Sequence, residues 1–254
     1  MKRAGILIVV VVALVAATMA GLWWGSHTTH TATSTTPTPT TNATSTASEI
    51  AVGNVAAGEG GSLPGPGTLK LGYPHTQDGA VAALTNYILA AEDKVNLAEP
   101  AYRAALVNAI AFDDNSKADL TSGVEGGAKI CARYGVCKWD PRRGAYAVRS
   151  YSDDQAEIAV WAPFVWAEPT DPSGKASIAW GIEKHLVFWN GTDWKIKTLG
   201  QDGVTDDSTI ALQVPADPQG NPSSAEKSAI LTTPRDGAVK LWTLSWKEYA
   251  NAIH

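Results

Sequence analysis

The sequence predicts an α+β domain in which helices pack on one face of a curled antiparallel sheet. Two observations support this fold class. Between Thr76 and Gly135, apolar residues recur at the three- and four-residue spacing of a buried helix face. After Pro141, apolar and polar residues alternate, as they do in half-buried strands. Because the helical part precedes the strand-forming part, the two kinds of element are expected to form separate layers around one core.

Three helices are predicted in the first part of the domain. Thr76 is of a residue type that caps helix N-termini. The apolar stripe that follows it consists of Val81, Leu84, Ile88 and Val95. Pro100 suits the first turn of the second helix, where its missing amide hydrogen costs no hydrogen bond. Ser116 and Asp119 resemble the capping box of a third helix, which is expected to end by Gly135.

Three strands and a hairpin are predicted after these helices. The strands are marked by Tyr146 and Val148, by Ile158, Val160, Phe164 and Trp166, and by Ile178, Trp180, Ile182, Leu186 and Phe188. The Asn190-Gly191 pair between Trp189 and Trp194 is the strongest hairpin signal in the chain. Lys184 interrupts the apolar face of the third strand, which favours a bulge or bend at that position.

The C-terminal extension, residues 201–254, is expected to return and pack on the domain. Trp242 and Trp246 would otherwise expose large apolar side chains. A strand is predicted over residues 239–244. Ser245 is then expected to begin a short helix that carries Trp246 and Tyr249.

Residues 4–24 carry no charge and are predicted to form a transmembrane helix. At about 1.5 Å per residue such a helix spans roughly 31 Å, close to the thickness of a bilayer's hydrocarbon core. Lys2 and Arg3 precede it and Trp23 and Trp24 end it, which is typical of a cytoplasmic N-terminus and an interfacial aromatic belt. Residues 1–3 are therefore expected in the cytoplasm, and the remainder outside the plasma membrane on a single-pass anchor.

A cleaved signal peptide is the alternative interpretation of this segment. Thr18 and Ala20 are small residues suited to cleavage before Gly21. The apolar run is longer than the apolar region of a signal peptide, which has about 7–15 residues. The uncleaved anchor is therefore favoured.

Residues 25–71 are predicted to form a disordered linker. Positions 27–48 consist almost entirely of Thr, Ser, Ala and Pro, and positions 53–67 are rich in Gly and Pro. Such a composition buries too little apolar surface to offset the loss of chain entropy on folding. The linker is expected to separate the folded domain, residues 72–200, from the membrane.

The composition argues against several functions. The net charge is −5 at pH 7, and no basic run with interleaved aromatic residues occurs, which argues against nucleic-acid binding. P-loop, dinucleotide and nucleophile-elbow motifs are missing from the sequence. Asp113-Asp114 and Asp206-Asp207 lack the Gly and Glu positions of a calcium loop, so they are interpreted as solvated loop or helix-cap residues. No catalytic, cofactor-binding or metal-binding residue is predicted, and no cofactor is expected.

Glu183 and His185 are the strongest candidates for acid–base chemistry. Their spacing on a strand places both on the same sheet face. A half-exposed surface pair at a sheet edge is the favoured interpretation. His75 precedes a helix, where it either hydrogen-bonds in the turn or lines a pocket. Most of the Trp residues fall on the core-facing phase of strands and are interpreted as core residues.

Cys131 and Cys137 are predicted to form a disulfide. Exported cysteines in an even number usually pair, because the compartment is oxidising. Gly135 allows the chain to leave the third helix and fold back, which would bring the two Cα atoms within the roughly 4.4–6.8 Å that a disulfide needs. Two buried free thiols are the alternative.

The order of these segments resembles that of a known group of proteins. An anchor and a Thr-rich spacer precede GYPHTQDGAVAALTNYILAA, and AYAVRSYSDDQAEIAVWAPFVW and HLVFWNGTDWKI follow further along the chain. In this it resembles actinobacterial membrane-anchored proteins of conjugative and integrative elements. It is also similar to the NTF2-like extracytoplasmic domains of type IV secretion and conjugation scaffold proteins. The resemblance covers residues 72–200.

The resemblance implies an NTF2-like fold and a non-enzymatic scaffold or binding protein in a conjugation or type IV secretion-like assembly. Its partners would be other proteins of that assembly, and a homo-oligomer is compatible with this role. The resemblance brings no catalytic residues with it. Two other functions stay open: a binding module for the cell wall or another surface polymer, and an isomerase- or dehydratase-type enzyme, because the NTF2-like fold also hosts enzymes.

Overall fold

The computed structural model describes residues 50–167, 177–197 and 244–253, in which helices pack against a mixed, mostly antiparallel sheet. The predicted α+β class is confirmed. The helices are Gln77–Ala91 (α1), Lys94–Leu97 (α2), Pro100–Ile110 (α3) and Asp114–Cys131 (α4). The strands are Ala51–Val52 (β1), Leu63–Pro64 (β2), Lys70–Leu71 (β3), Val136–Trp139 (β4), Ala145–Tyr151 (β5), Gln155–Ala167 (β6), Ser177–Trp189 (β7), Trp194–Lys197 (β8) and Lys247–Glu248 (β9).

The long strands β6 and β7 form the centre of the sheet. They pair antiparallel in one register from Gln155 opposite Phe188 to Trp166 opposite Ser177. The strand order is β1-β9-β5-β6-β7-β8, with β4 paired to the far end of β6 beyond β5. Strands β2 and β3 form a separate hairpin.

The bulge predicted at Lys184 is wrong. Lys184 pairs with Ala159 in an unbroken register, and the irregularity in the sheet lies in β5, between Val148 and Ser150. Strand alternation explains the difference, because Lys184 lies on the opposite face from its neighbours Glu183 and His185. The lysine therefore does not interrupt the side of the strand that faces the helices.

The core lies between the helices and the sheet face that carries Ile158 and Val160. The largest side chains fully buried there are Tyr73, Leu84, Tyr87, Leu97, Leu106, Ile110, Ile158, Trp194 and Tyr249. Full burial of one large apolar side chain contributes about 1.5–3 kcal/mol relative to exposure. These side chains therefore fill the space between the helix layer and the sheet.

The helix starts are partly as predicted. The Thr76 Oγ1 accepts a hydrogen bond from the Gly79 amide at 3.0 Å, which confirms this residue as the N-cap of α1. Pro100 stands in the first turn of α3, as expected. The capping box at Ser116 is wrong, because Asp113 caps α4 by accepting from the Ser116 amide at 2.8 Å.

The first helix is shorter than its apolar stripe predicts. It ends at Ala91, and Asp93 starts α2 by accepting from the amides of Val95 and Asn96. Val95 is consequently 80% exposed instead of lying in the core. The Asp93 cap starts a separate short helix two residues after α1 ends, which the three- and four-residue spacing alone does not reveal.

Residues 50–71 belong to the folded domain, which corrects the C-terminal limit of the predicted linker. Val55, Ala57 and Leu69 are each 4% exposed and pack in the core. The Asn86 Nδ2 donates to the Glu59 carbonyl at 2.7 Å. The isolated apolar residues within this Gly-rich stretch supply enough contacts to fix it, although its composition is that of a loop.

Residues 244–253 pack on the domain, as predicted for the C-terminal extension. The short helix expected after Ser245 is wrong, because β9 forms there and lies between β1 and β5. Trp246 is 6% exposed and Tyr249 fully buried. Pairing to two neighbouring strands satisfies more backbone groups in so short a segment than one helical turn would.

Several predicted segments lie outside the described residues. They are the transmembrane helix or signal peptide at 4–24, the linker up to residue 49, Asp206-Asp207, and the strand at 239–244 with Trp242, apart from Leu244. Within the described ranges, no helix is long and apolar enough to cross a membrane.

Candidate functional site

A disulfide joins Cys131 and Cys137, as predicted. Cys131 is the last residue of α4 and Cys137 lies in β4, and their Cα atoms are 5.4 Å apart. Both residues are buried. The Gly135 amide donates to the Ala167 carbonyl at 2.8 Å, so the connection between the two cysteines is also tied to β6. The bond therefore fastens the corner where the helix layer passes into the sheet.

Glu183 and His185 lie on the same face of β7, as their spacing predicts, and this face is the one that faces the helices. They stand opposite Val160 and Ile158 of β6. Among the described residues, β8 pairs only with the stretch of β7 from Leu186 onwards, so this pair lies at the sheet edge. The His185 Nε2 and the Glu183 Oε2 are 3.1 Å apart, and the two side chains are 29% and 38% exposed.

Glu92, directly after α1, is the third member of this acid–base group. Burial, together with the negative charge of Glu183, raises the pKa of Glu92 to about 8. Glu92 therefore holds its proton at neutral pH, and it lies near enough to Glu183 for the charge of that residue to act on it. Nothing in the sequence pairs Glu92 with residues 183 and 185, because only the packing of α1 on the sheet brings them together.

The acid–base group (Glu92, Glu183 and His185) contains the parts of a proton-transfer site. A neutral carboxyl group can donate a proton, and a carboxylate hydrogen-bonded to an imidazole can accept one. Within residues 50–167, 177–197 and 244–253, no set of three His, Cys, Asp or Glu side chains is arranged to hold a metal ion.

Asp193 forms a second polar cluster, which the sequence did not single out. It is 4% exposed and follows the tight turn where Gly191 adopts a φ of 93°. Its Oδ1 accepts from the amides of Tyr73 and Trp194, and its Oδ2 accepts from the Tyr87 hydroxyl and the Lys195 ammonium at 3.1 Å. Because every partner is a donor and one is charged, the carboxylate is fully compensated. Its role is to hold the predicted β7–β8 hairpin on α1.

The remaining candidates have structural environments. His75 stacks on Trp189 at 4.1 Å and contacts the Asp153 carbonyl, so it joins the start of α1 to the β5–β6 turn instead of lining a pocket. Asp113 caps α4 and pairs with Lys197, whose hydrogen bond is the main cause that lowers the pKa of Asp113 to about 2. Asp113 and His75 therefore both stabilise loops of the domain.

No protein-family model, curated protein or solved structure matches this chain.

Proposed function

We propose that this chain is a non-enzymatic, membrane-anchored scaffold protein whose NTF2-like domain lies outside the plasma membrane and binds other proteins of a conjugation or type IV secretion-like assembly. The observation that carries the proposal is the disulfide between Cys131 and Cys137. Structural disulfides persist in oxidising compartments and are rare in the cytosol. The disulfide therefore supports the exported location that the apolar segment at 4–24 predicts.

The filled interior of the domain supports binding over catalysis. Tyr87, Leu84, Leu106 and Ile110 occupy the space between helices and sheet that a substrate would need. Small-molecule sites are concave and bury most of their ligand. A domain whose helix–sheet interior is packed with its own side chains is better suited to binding proteins on its outer surface.

Anchoring is the property that separates a scaffold from a soluble enzyme. The test compares the native chain with a variant in which residues 1–24 are replaced by a cleavable signal peptide, both produced in a strain lacking the gene. We expect the native chain to restore conjugative transfer or secretion and the released domain to fail, although both accumulate outside the membrane with the disulfide intact. Full activity of the released domain would refute the scaffold.

An isomerase- or dehydratase-type enzyme is the second candidate, and the acid–base group favours it. The raised pKa of Glu92 next to the pair of Glu183 and His185 is the kind of difference that separates an acid from a base. The discriminating variant is His185→Ala. A scaffold retains its function in this variant, whereas an enzyme that uses the pair loses activity while the domain stays folded.

A further inference from the structure

The corner closed by the disulfide carries exposed apolar side chains next to a row of positive charges. We propose that this corner surface, formed by Val95, Arg133, Val136, Lys138 and Arg142, binds an acidic segment of a partner protein in which apolar residues are interspersed. The corner surface deepens the proposed function and rests on it, because it defines the chemistry of the partner that the scaffold binds.

The apolar part of the corner surface lies where α2 meets β4. Val95 of α2 is 80% exposed and Val136 of β4 is 42% exposed. They directly follow Lys94 and Gly135, and the Lys94 Nζ donates to the Gly135 carbonyl at 3.2 Å. Asp93, which caps α2, balances the charge of Lys94. The two valines therefore flank one contact and give it an apolar character, and exposed apolar groups rimmed by polar ones are typical of interaction sites.

The positive charge follows β4 away from this contact. Val136 and Lys138 share the exposed face of β4, whose other two residues are buried. Arg133 precedes the strand, is exposed, and places its guanidinium carbon 5.8 Å from the centre of the Tyr134 ring. Arg142 follows the strand, with a side chain that is 46% exposed. Cationic side chains thus accompany the strand from one end to the other.

This positive charge is in excess of the acidic residues nearby in the chain. Residues 129–143 hold five basic residues and one acidic residue, although the net charge of the whole chain is −5. The carboxylate of Asp140 is buried, and its oxygens lie 4.0 Å from the Lys138 Nζ, 3.2 Å from the Arg142 Nε and 3.4 Å from the Arg143 Nε. One carboxylate balances only one of these three charges, and the side chains of Lys138 and Arg142 are the most exposed of the three. Complementary charge therefore favours a partner segment rich in carboxylates.

The disulfide fixes the shape of the corner surface before a partner binds. The bond between Cys131 and Cys137 closes the turn that carries Arg133 and Val136. A surface that is already ordered loses less conformational entropy on binding. Charge complementarity can therefore contribute to affinity without first having to order this turn.

Fluorescence anisotropy with two labelled peptides tests the corner surface on the full-length chain in detergent micelles. One peptide consists of Glu with interspersed Leu, and the other of Glu alone. We expect the Glu/Leu peptide to bind the native chain with an affinity that falls as salt is added. Arg133→Glu should weaken this binding by about fivefold to tenfold. Lys117→Glu, the same charge change in the first turn of α4 at the other end of that helix, should change it by less than about twofold.

A second pair of variants tests the apolar part. Val136→Thr keeps the shape of the side chain and should weaken binding of the Glu/Leu peptide while leaving binding of the Glu peptide unchanged. Val52→Thr, at a position 65% exposed on β1, is the control and should alter neither. Intact-mass analysis of each variant after alkylation without reductant, showing a closed disulfide, verifies that the corner is formed.

Every other outcome overturns the proposal. No binding of the Glu/Leu peptide, or equal weakening by Arg133→Glu and Lys117→Glu, would show that the corner surface has no specific role. Tighter binding of polyphosphate or of phosphatidylglycerol vesicles would assign it to a phosphate polymer or a lipid surface. Dimers of the native chain that Arg133→Glu dissociates would make a second copy the occupant. Because these measurements use the purified chain, their failure leaves the anchoring test of the scaffold function unaffected.

Discussion

The two edges of the sheet are closed in different ways. At one edge, β7 and β8 form a hairpin whose four-residue turn is held by Asn190, and Asp193 ties that hairpin to α1. At the other edge, β1 and β9 are each two residues long, and Ala57 and Asn251, which hold them together, lie 194 positions apart in the chain. The first edge is built from local contacts and one buried charge, whereas the second is built from the two ends of the folded domain.

The same sheet therefore combines a fixed edge with a separable one. A local hairpin closes a short loop and has little entropy to lose, whereas pairing of distant segments must offset a larger loss on closure. The hairpin edge is therefore expected to unfold only when the whole domain unfolds. The edge formed by residues 244–253 is expected to open without global unfolding, as local units of low stability do.

The largest effect is expected from Asp193→Ala at the hairpin edge. The substitution removes the acceptor of the Tyr73 and Trp194 amides. It also takes the buried carboxylate away from the Lys195 ammonium and the Tyr87 hydroxyl, which keep only backbone carbonyls as acceptors. Removing one partner of a buried ion pair costs about 3–5 kcal/mol. Denaturant unfolding measures this loss, and the exposed Asp154→Asn at the same end of the sheet is the control. Equal stabilities of the two variants would contradict the assigned role of Asp193.

Tyr249→Ala at the opposite edge is expected to lower the global stability less than Asp193→Ala does. Its effect should be concentrated in the residues around the C-terminal segment. The lost packing corresponds to about 3–4 kcal/mol if the segment stays bound. Because the segment can detach, the global loss is limited to the free energy that holds it. Hydrogen exchange should therefore show faster exchange of residues 246–253 and of residues 53–57, with the hairpin edge unchanged. Tyr249→Phe, which loses only the contact with Thr85, should cost about 1 kcal/mol.

The same contrast explains how much of the fold could be predicted from the sequence. The Thr76 cap, Pro100 in its first turn, and the Asn190-Gly191 hairpin depend on residues a few positions apart, and all are confirmed. The incorporation of residues 50–71 and the strand at Lys247–Glu248 depend on partners far along the chain, and neither was predicted. Local chemistry leaves a signal in the sequence, whereas the pairing of distant short segments leaves almost none.

The acid–base group shows the same limit at the site. The relation of Glu183 to His185 follows from the two-residue repeat of a strand and was predicted. Glu92 joins them only because α1 packs over β7, so that its raised pKa has no counterpart in the sequence. The disulfide was predicted because its cysteines are six positions apart at a helix end.

Removing the disulfide tests a connection that lies between the two edges. The double variant Cys131→Ser with Cys137→Ser opens a loop of about seven residues, which should cost about 2 kcal/mol in the chain-entropy model. The loss should appear equally in unfolding monitored at either edge, because the bond joins α4 to β4 and not to one edge. Intact-mass analysis of the native chain, denatured and alkylated without reductant, should show no label. Two labels would show that the thiols are free.

The smallest effect is expected from Glu92→Gln, and it depends on pH. Unfolding returns the pKa of Glu92 from about 8 to its usual value of 4.5, so between these values the folded state binds a proton that the unfolded state has released. The contribution of Glu92 to the free energy of unfolding is therefore at its maximum below pH 4.5 and is lost as the pH rises towards 8. Because the side chain is only partly shielded from water, the expected loss between pH 5 and 7.5 is about 1 kcal/mol. Glu92→Gln should remove this slope, and His185→Ala should leave its sign unchanged. A native chain whose stability rises over this range, with the same rise in Glu92→Gln, would show that Glu92 is not protonated in the folded domain.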